Sequence, residues 1–437
     1  MSNVNAELHR VEEDMEHVIL EEEYEHESVP LKARKGVLSV SAVWMGFPMI
    51  ITGALTGSAI VAGIGFTKGM WAILLGNLIM FAYVGTLGVL STKKGYNFAL
   101  QASTTFGRKG YVVASGLLST LIIGWFAVQT GLTGTFMHDA FGANLFAMTL
   151  LAGLLYMAVT FIGIKALSYI GIVSAPLFVV LGLWAVTDVV SQSGWSAITS
   201  FAGNTATPLS FGVAITMVIA LFADAGTMTG DFNRWAKNPR DSLIATFSAF
   251  PFANVVALVF GGILTASVAK TDIFRFFADK GGFLAVLAVL FLFINLGSVC
   301  SHCLYNGAVG WSHIVGGRMR VATIILGAIG IFAAVMGIWS FFINWLTLLG
   351  ILVPPIGGII IVDQFFLRKG ADIAENIRVK PFVAWGIGSA VALIVEFNAP
   401  HFSTAVVGLI VAAIVYWIIA ANEKASAIQS STASRRI

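Results

Sequence analysis

The stretch Ala220-Leu-Phe-Ala-Asp-Ala-Gly-Thr-Met-Thr-Gly-Asp-Phe-Asn-Arg-Trp235 decides the fold of this chain. It continues an apolar run from Phe211, yet it carries an acid, Asp224, followed by Gly226 and Gly230. An ionisable side chain inside a membrane segment is costly, and it therefore indicates a functional site. Glycines that interrupt the helix beside it are typical of a transporter binding site, because unwound backbone is tolerated only where it faces protein or water. The alternative is an acid near a helix end that reaches the membrane interface.

Composition predicts a polytopic membrane protein. Hydrophobic residues make up 57% of the 437 residues, charged residues only 11%, and the mean hydropathy is +0.88. Soluble domains carry about 25% charged residues. The two cysteines, Cys300 and Cys303, are too few for a disulfide framework and are weak evidence for zinc. No motif of a soluble catalytic site and no basic patch is found, so we expect neither an enzyme nor a nucleic-acid partner.

The apolar segments predict an all-α protein with twelve transmembrane helices. They are too long and continuous for the strands of a β-barrel, which alternate over about ten residues. Their expected positions are spans 1 to 12 at 37–61, 70–91, 110–136, 145–164, 167–189, 211–230, 242–268, 283–307, 321–338, 339–364, 381–398 and 403–421.

The distribution of Lys and Arg predicts that both termini face the cytoplasm. With twelve spans, 21 of the 25 cations fall on the side of the N-terminus, as expected for the cytoplasmic side. The other side keeps Lys68, Lys270, Arg275 and Lys280. Residues 1–35 are predicted to form an acidic cytoplasmic tail, mobile over its first 27 residues because these are polar and carry no apolar core. Residues 36–421 form the transmembrane domain, and residues 422–437 a cytoplasmic C-terminal tail.

Two further spans carry residues that point to a central site. In span 1, Pro48 between Gly46 and Gly53 indicates either a broken helix or a simple proline kink. In span 3, Trp125 and Gln129 lie four residues apart and share one helix face. A flat ring beside a carboxamide suits a planar heteroaromatic ligand, although tryptophan packing with an interhelical glutamine bond is the simpler explanation for the pair taken alone.

Spans 8 and 10 add a polar stripe and a deformable helix. Asn295, Ser298 and His302 form one stripe that could hold a cation and a ligand, or could hydrogen-bond neighbouring helices. His302 is expected to be a packed residue rather than a metal ligand, since no second histidine lies at a ligand spacing. The Pro354-Pro355 and Gly357-Gly358 pairs predict a kink in span 10 that would suit a moving gate.

Together these segments resemble the nucleobase:cation symporter-1 family, and within it the bacterial cytosine permeases. The likeness covers residues 32 to 420. Its motifs are Arg34-Lys35-Gly36, Gly124-Trp125-Phe126, Ala225-Gly226-Thr227 with Asp231-Phe232 and Arg234, and Pro354-Pro355-x-Gly357-Gly358. The resemblance implies two inverted five-helix repeats, 37–189 and 211–364, with two extra helices over 381–421. It also implies that helices 1 and 6 are broken around a central site.

The resemblance also implies the roles of individual residues. It places Trp125 and Phe222 on the two faces of a substrate base, and its substrate-binding positions here are Trp125, Gln129, Phe222, Ala223, Asp224 and Cys300. Gln129 matches a hydantoin-transporting branch, whereas Asp224 stands where cytosine permeases tend to carry serine, and Cys300 where the family tends to carry asparagine. These departures bear on which heterocycle is transported.

A sodium site is implied only in part. Its metal-binding positions in this sequence are Gly46, Met49, Asn295 and Ser298, while Val299 stands where a second hydroxyl is expected. A hard cation prefers oxygen ligands, so Val299 weakens the case for sodium, and Asp224 offers a site for proton coupling instead.

The resulting hypothesis is a secondary active transporter of the cytoplasmic (inner) membrane. It would import a nucleobase or related heterocycle, with cytosine favoured, together with H⁺ or Na⁺ by alternating access. A purine, hydantoin, allantoin-like or other pyrimidine-derivative permease is the alternative. We expect no cofactor besides the coupling ion, no partner besides the small heterocyclic substrate and the lipid bilayer, and a monomer. An intramembrane enzyme and a passive channel are the hypotheses from other classes.

Overall fold

The structure is a computed structural model that describes residues 22–204, 208–267, 272–368 and 375–434. The first 21 residues of the predicted tail lie outside the described residues, as do Lys270, Arg435 and Arg436. Within the described ranges the chain is almost entirely helical.

Eighteen helices follow one another along the described chain. They are α1 Val37–Gly46, α2 Ile51–Ile64, α3 Phe66–Lys94, α4 Phe98–Phe106, α5 Tyr111–Phe141, α6 Leu145–Ile162, α7 Ile164–Ser193, α8 Trp195–Thr199, α9 Phe211–Ala220, α10 Ala223–Thr227, α11 Gly230–Asn233, α12 Pro239–Ala266, α13 Ile273–Ala278, α14 Gly282–Val315, α15 Met319–Val335, α16 Phe342–Ile361, α17 Val379–Asn398 and α18 Thr404–Ser434. Short 3₁₀ turns cover Leu31–Ala33 and Ile338–Phe341. A π-turn, Ser248–Asn254, lies inside α12, and another, Val362–Leu367, follows α16.

Each predicted span coincides with a helix or with a run of helices. In the described part of the chain, nine helices are long and apolar enough to cross a bilayer, and the bent pair of α1 and α2 makes a tenth. The apolar helices α9 and α15, which are shorter than 18 residues, occupy the positions of spans 6 and 9. The prediction of an all-α membrane protein is confirmed, and twelve segments are consistent with this structure.

Both predicted breaks are present. α1 and α2 meet at an angle of 55° across Phe47–Ile50, where Pro48 cannot donate a backbone hydrogen bond. Span 6 divides into α9, α10 and α11, and Phe222 at the first division has non-helical backbone angles (φ −135°, ψ 21°). In span 10, by contrast, α16 continues as a helix through Pro354 and Pro355 and passes into a π-turn.

Close helix contacts hold the bundle together around α14. This helix packs against α5, α6 and α7, while α1 packs on α7 and α2 on α12. At the contact of α2 with α12, a Cβ on Gly57 would lie 1.9 Å from the Leu258 carbonyl oxygen, and one on Gly261 would lie 1.8 Å from that of Ala54. Such close approach requires glycine, as is usual where membrane helices cross. The hairpin of α17 and α18 packs on α16.

The prediction of a mobile tail is wrong for residues 22–27, which belong to an ordered stretch, residues 22–30, here called the N-terminal segment. The Glu23 side chain is only 2% exposed, and its carboxylate accepts hydrogen bonds from the Tyr305 hydroxyl (2.8 Å) and the Ile164 backbone N–H (3.0 Å). The Arg234 guanidinium donates to the backbone carbonyls of Glu23 (2.8 Å) and Tyr24 (2.7 Å). The segment therefore covers the bundle at the end where span 1 begins.

Candidate functional site

A small closed cavity lies where the two helix breaks face α5 and α14. Its volume is about 10 Å³, so a ring-sized ligand enters only when the surrounding side chains move apart. It is lined by Phe47, Ile50, Ile122, Trp125, Gln129, Leu221, Phe222, Asp224, Ala225, Val299 and Cys303.

The α5 wall provides Trp125 and Gln129, one helical turn apart as predicted. The Gln129 Nε2 donates to the Thr52 hydroxyl across the cavity edge (2.8 Å), which leaves its Oε1 buried without a protein partner. The Trp125 indole N–H faces the Asp224 carboxyl. Since buried polar atoms are nearly always paired, the free Gln129 oxygen indicates a place for a ligand.

The span 6 wall provides Phe222 and Asp224. Asp224 is fully buried, and its Oδ1 accepts a hydrogen bond from the Ala225 backbone N–H (2.8 Å). Its Oδ2 has no hydrogen-bond partner. The alternative of an acid that reaches the membrane interface is therefore wrong, because the side chain lies inside the bundle at the helix break.

Two of the predicted substrate-binding residues do not line this cavity. The Cys300 thiol lies 3.8 Å from the Phe126 carbonyl oxygen and 3.7 Å from the Thr130 hydroxyl, whereas Cys303 faces the cavity in its place. Ala223 contributes its carbonyl to the Thr227 hydroxyl (2.6 Å). Helical periodicity does not fix which of the two cysteines on α14 faces the ligand, because that depends on the rotation of the helix against its neighbours.

The residues proposed for sodium form hydrogen bonds to one another. The Ser298 hydroxyl donates to the Gly46 carbonyl oxygen (2.6 Å), and the Asn295 Nδ2 donates to the Met49 carbonyl oxygen (2.8 Å). The Asn295 Oδ1 accepts from the Ile51 backbone N–H (2.8 Å). The Asn295 side chain thus presents nitrogen, not oxygen, to the Met49 carbonyl, so it adds no oxygen at that point to the shell that a hard cation prefers.

His302 is a packed residue, as expected. Its Nδ1 lies 2.6 Å from the Ser298 carbonyl oxygen, and its ring stacks on Phe47 at 5.1 Å between centroids. Asn295, Ser298 and His302 thus form the predicted stripe, and this stripe faces the break in span 1.

A larger apolar pocket, here called the funnel, lies towards the end of the bundle opposite the N-terminal segment. Its volume is about 510 Å³, and its polar side chains are Thr216, Thr347 and Glu396. Its wall includes Ala220, next in the chain to Leu221 of the cavity.

Side chains close the other end. The Trp44 indole N–H donates to the Asn233 side-chain oxygen (2.8 Å), and the ring meets Phe232 edge-on at 5.2 Å between centroids. Arg234, with no exposed surface, anchors the N-terminal segment beyond this layer.

Comparison with known proteins decides the family. A family described as "Permease for cytosine/purines, uracil, thiamine, allantoin" matches residues 28–430. The chain belongs to this permease family. The cytosine permease of Escherichia coli (strain K12) is 31% identical over 366 residues, which cover 84% of this chain and 86% of that protein. The permease is therefore a transporter and not an enzyme.

This permease is also similar to other transporters in sequence and in structure. The hydantoin permease of Microbacterium maritypicum is 23% identical over 425 residues, covering 87% of this chain and 85% of that protein. Among solved structures, the nucleobase-cation-symport-1 family transporter Mhp1, closed with bromovinylhydantoin bound, superimposes with a TM-score of 0.78 at 17% identity. That match covers 93% of the permease and 96% of Mhp1, and it confirms the fold expected from the sequence.

Proposed function

We propose that this permease imports a nucleobase-like heterocycle across the inner membrane, with cytosine the favoured substrate, and couples that import to a cation. The observation that carries the proposal is the closed cavity at the two helix breaks. It combines two large aromatic side chains, Trp125 and Phe222, with unpaired polar atoms of Gln129 and Asp224. Aromatic side chains stack on flat rings, and the free polar atoms form hydrogen bonds with the polar groups at the edge of the ring.

Alternating access around this site supplies the mechanism. The funnel would receive the substrate. The bound substrate would be separated from the cytoplasm by the N-terminal segment and by the layer of Trp44, Phe232 and Arg234. Opening that layer while the funnel closes would release the substrate inside. The Lys and Arg distribution supports cytoplasmic termini and therefore this orientation of the funnel and the layer. The protein is proposed to work as a monomer, since the whole site lies within one chain.

A proton is the favoured coupling ion, and sodium is the second candidate. The hydrogen bonds from Ser298 and Asn295 already occupy the two backbone carbonyls of span 1. Val299 brings no oxygen to the cavity side of α14. Asp224 is an acid in the substrate cavity itself, and it can take up and release a proton.

Uptake into proteoliposomes tests the proposal. Labelled cytosine should accumulate under an inward proton gradient, and unlabelled bases, hydantoins and allantoin should be ranked as competitors. Phe222→Ala should lower apparent affinity about tenfold or more, as loss of stacking does elsewhere. Flux without saturation would indicate a channel, and absence of uptake for every ring tested would reject the proposed function.

A further inference from the structure

We infer that Asp224 pairs with the amidine edge of an amino-substituted ring, and that substrate and coupling proton share this one hydrogen-bonded pair. An amidine edge is a ring nitrogen next to a carbon that bears an amino group. The inference rests on the proposed function and specifies the class of ring and the position of the proton.

The two oxygens of the Asp224 carboxyl differ in their hydrogen bonds. Its Oδ1 accepts one backbone hydrogen bond, while Oδ2 has no partner although the side chain is fully buried. No Lys or Arg lies among the residues that line the cavity. A buried carboxylate without a cation is strongly disfavoured, so the site requires either a proton on the carboxyl or a positively charged partner beside it.

An indole and a thiol face the Asp224 carboxyl. The Trp125 indole N–H faces the carboxyl as a hydrogen-bond donor. The titratable group that α14 places beside Asp224 is the Cys303 thiol. Neither of these groups supplies a positive charge. The proton that neutralises the Asp224 carboxylate must therefore lie either on the ligand or on the carboxyl itself.

An amidine edge meets both requirements. Its amino group donates to one carboxylate oxygen, in the way that aspartate accepts from the amino group of cytosine in DNA recognition. Its ring nitrogen shares the proton with the other oxygen. A neutral acid facing a neutral ring and a carboxylate facing a protonated ring differ only by the position of that proton. The pair has no net charge in either form, so it can remain buried while the transporter changes state.

Gln129 and Trp125 complete the recognition. The free Gln129 Oε1 accepts from a second N–H of the ring. The Trp125 N–H donates towards the Asp224 carboxyl and orients it for the ring. Cytosine carries the amino group, the ring nitrogen and the second N–H. In a ring with an oxo group in place of the amino group, the oxo oxygen faces a carboxylate oxygen, and both are acceptors. Such a ring also loses the charge-assisted hydrogen bond from the amino group.

Calorimetric titration of the purified full-length permease with cytosine tests this pairing. Titrations at the same pH in two buffers of different ionisation enthalpy give the number of protons taken up per cytosine bound. We expect uptake that rises towards one proton as the pH increases from 5 to 9, because the empty carboxyl holds its proton at low pH and loses it as the pH rises. Asp224→Asn should show none at any pH and bind cytosine about 10- to 100-fold more weakly. Asp279→Asn, the same change at an exposed acid, should behave like the wild type.

A series of rings of similar size gives an independent readout. Affinity should rise with the basicity of the ring nitrogen from 5-fluorocytosine to cytosine to 5-methylcytosine, and uracil should bind most weakly. Asp224→Asn, or Asp224→Ser if the first variant does not fold, should flatten this order. Wild-type binding of cytosine without proton uptake at any pH, or an unchanged order in a folded variant, would overturn the inference and leave the proposed function standing. Failure of every ring to bind would reject both.

Discussion

Removal of the Glu23 carboxylate should release the N-terminal segment from the bundle. In Glu23→Ala the Tyr305 hydroxyl and the Ile164 N–H lose their acceptor inside the protein. Each buried polar group left unpaired costs about 1–3 kcal/mol, so docking should weaken by about 2–6 kcal/mol. At 1.4 kcal/mol per tenfold change, this is about one and a half to four powers of ten in the docking equilibrium.

Hydrogen exchange of a peptide covering residues 22–30 measures this equilibrium in the intact protein. Glu23→Ala should lose protection by that factor, whereas Glu23→Gln, which keeps the size and one acceptor, should lose much less. Glu27→Ala, at an exposed position of the same segment, is the matched control. Equal exchange in wild type and Glu23→Ala would show that the buried carboxylate does not hold the segment.

The same segment should respond to pH. Burial raises the pKa of Glu23 above its ordinary value, although the hydrogen bonds from Tyr305 and Ile164 and the charge of Arg234 act in the opposite direction. The docked state therefore binds a proton more tightly than the undocked state. Docking is strongest at low pH and weakens as the pH rises through the raised pKa. After correction for intrinsic exchange, protection should fall with pH in the wild type and stay constant in Glu23→Gln.

Three further perturbations probe the rest of the structure. Trp125→Ala should weaken substrate binding about tenfold or more, because base stacking contributes about 1–3 kcal/mol, and equilibrium binding of labelled cytosine would show this. Wild-type uptake should be unchanged when sodium is replaced by choline. Val299→Thr should introduce sodium dependence only if the backbone carbonyls of span 1 bind a sodium ion. Arg378→Met should destabilise the protein by about 3–5 kcal/mol, since it leaves the buried carboxylate of Asp363 without its 3.0 Å partner. Arg275→Met, which removes an exposed pair, should cost less than about 1 kcal/mol in the same detergent-unfolding assay.

The positions of the spans and the presence of both helix breaks could be predicted from the sequence because their causes are local. Long apolar runs must form helices in a membrane, where every backbone group has to be paired within the segment. Pro48 cannot donate in span 1. In span 6 the glycines after Asp224 indicate a break, but the first division lies before that acid, at Phe222, and its position was not predicted. Span 10 was predicted as one segment with a kink at Pro354 and Pro355, and α16 runs through both prolines, but the π-turn that follows it was not predicted.

The hydrogen bonds that close the proposed sodium site depend on the register between distant helices. The sequence indicates that Asn295 and Ser298 share a face, but not that both donate to carbonyls some 250 positions away. Burial of Glu23 was missed for a related reason. Its neighbours in the chain are polar, and the space that it fills exists because Gly163 has no side chain: a Cβ there would lie 1.8 Å from the Glu23 carboxylate oxygen.

As the proposed entry route, the funnel would act as a dielectric filter ahead of the binding site. A charged solute that enters it exchanges water for mostly apolar walls, and the free-energy cost of that transfer slows its arrival whatever its affinity for the cavity. A neutral ring bears little of this cost. An amino-substituted ring would therefore pass through the funnel as the free base and acquire its proton only at Asp224. The acid Glu396 in the wall adds repulsion for anions, so analogues that carry a permanent negative charge should be the poorest substrates.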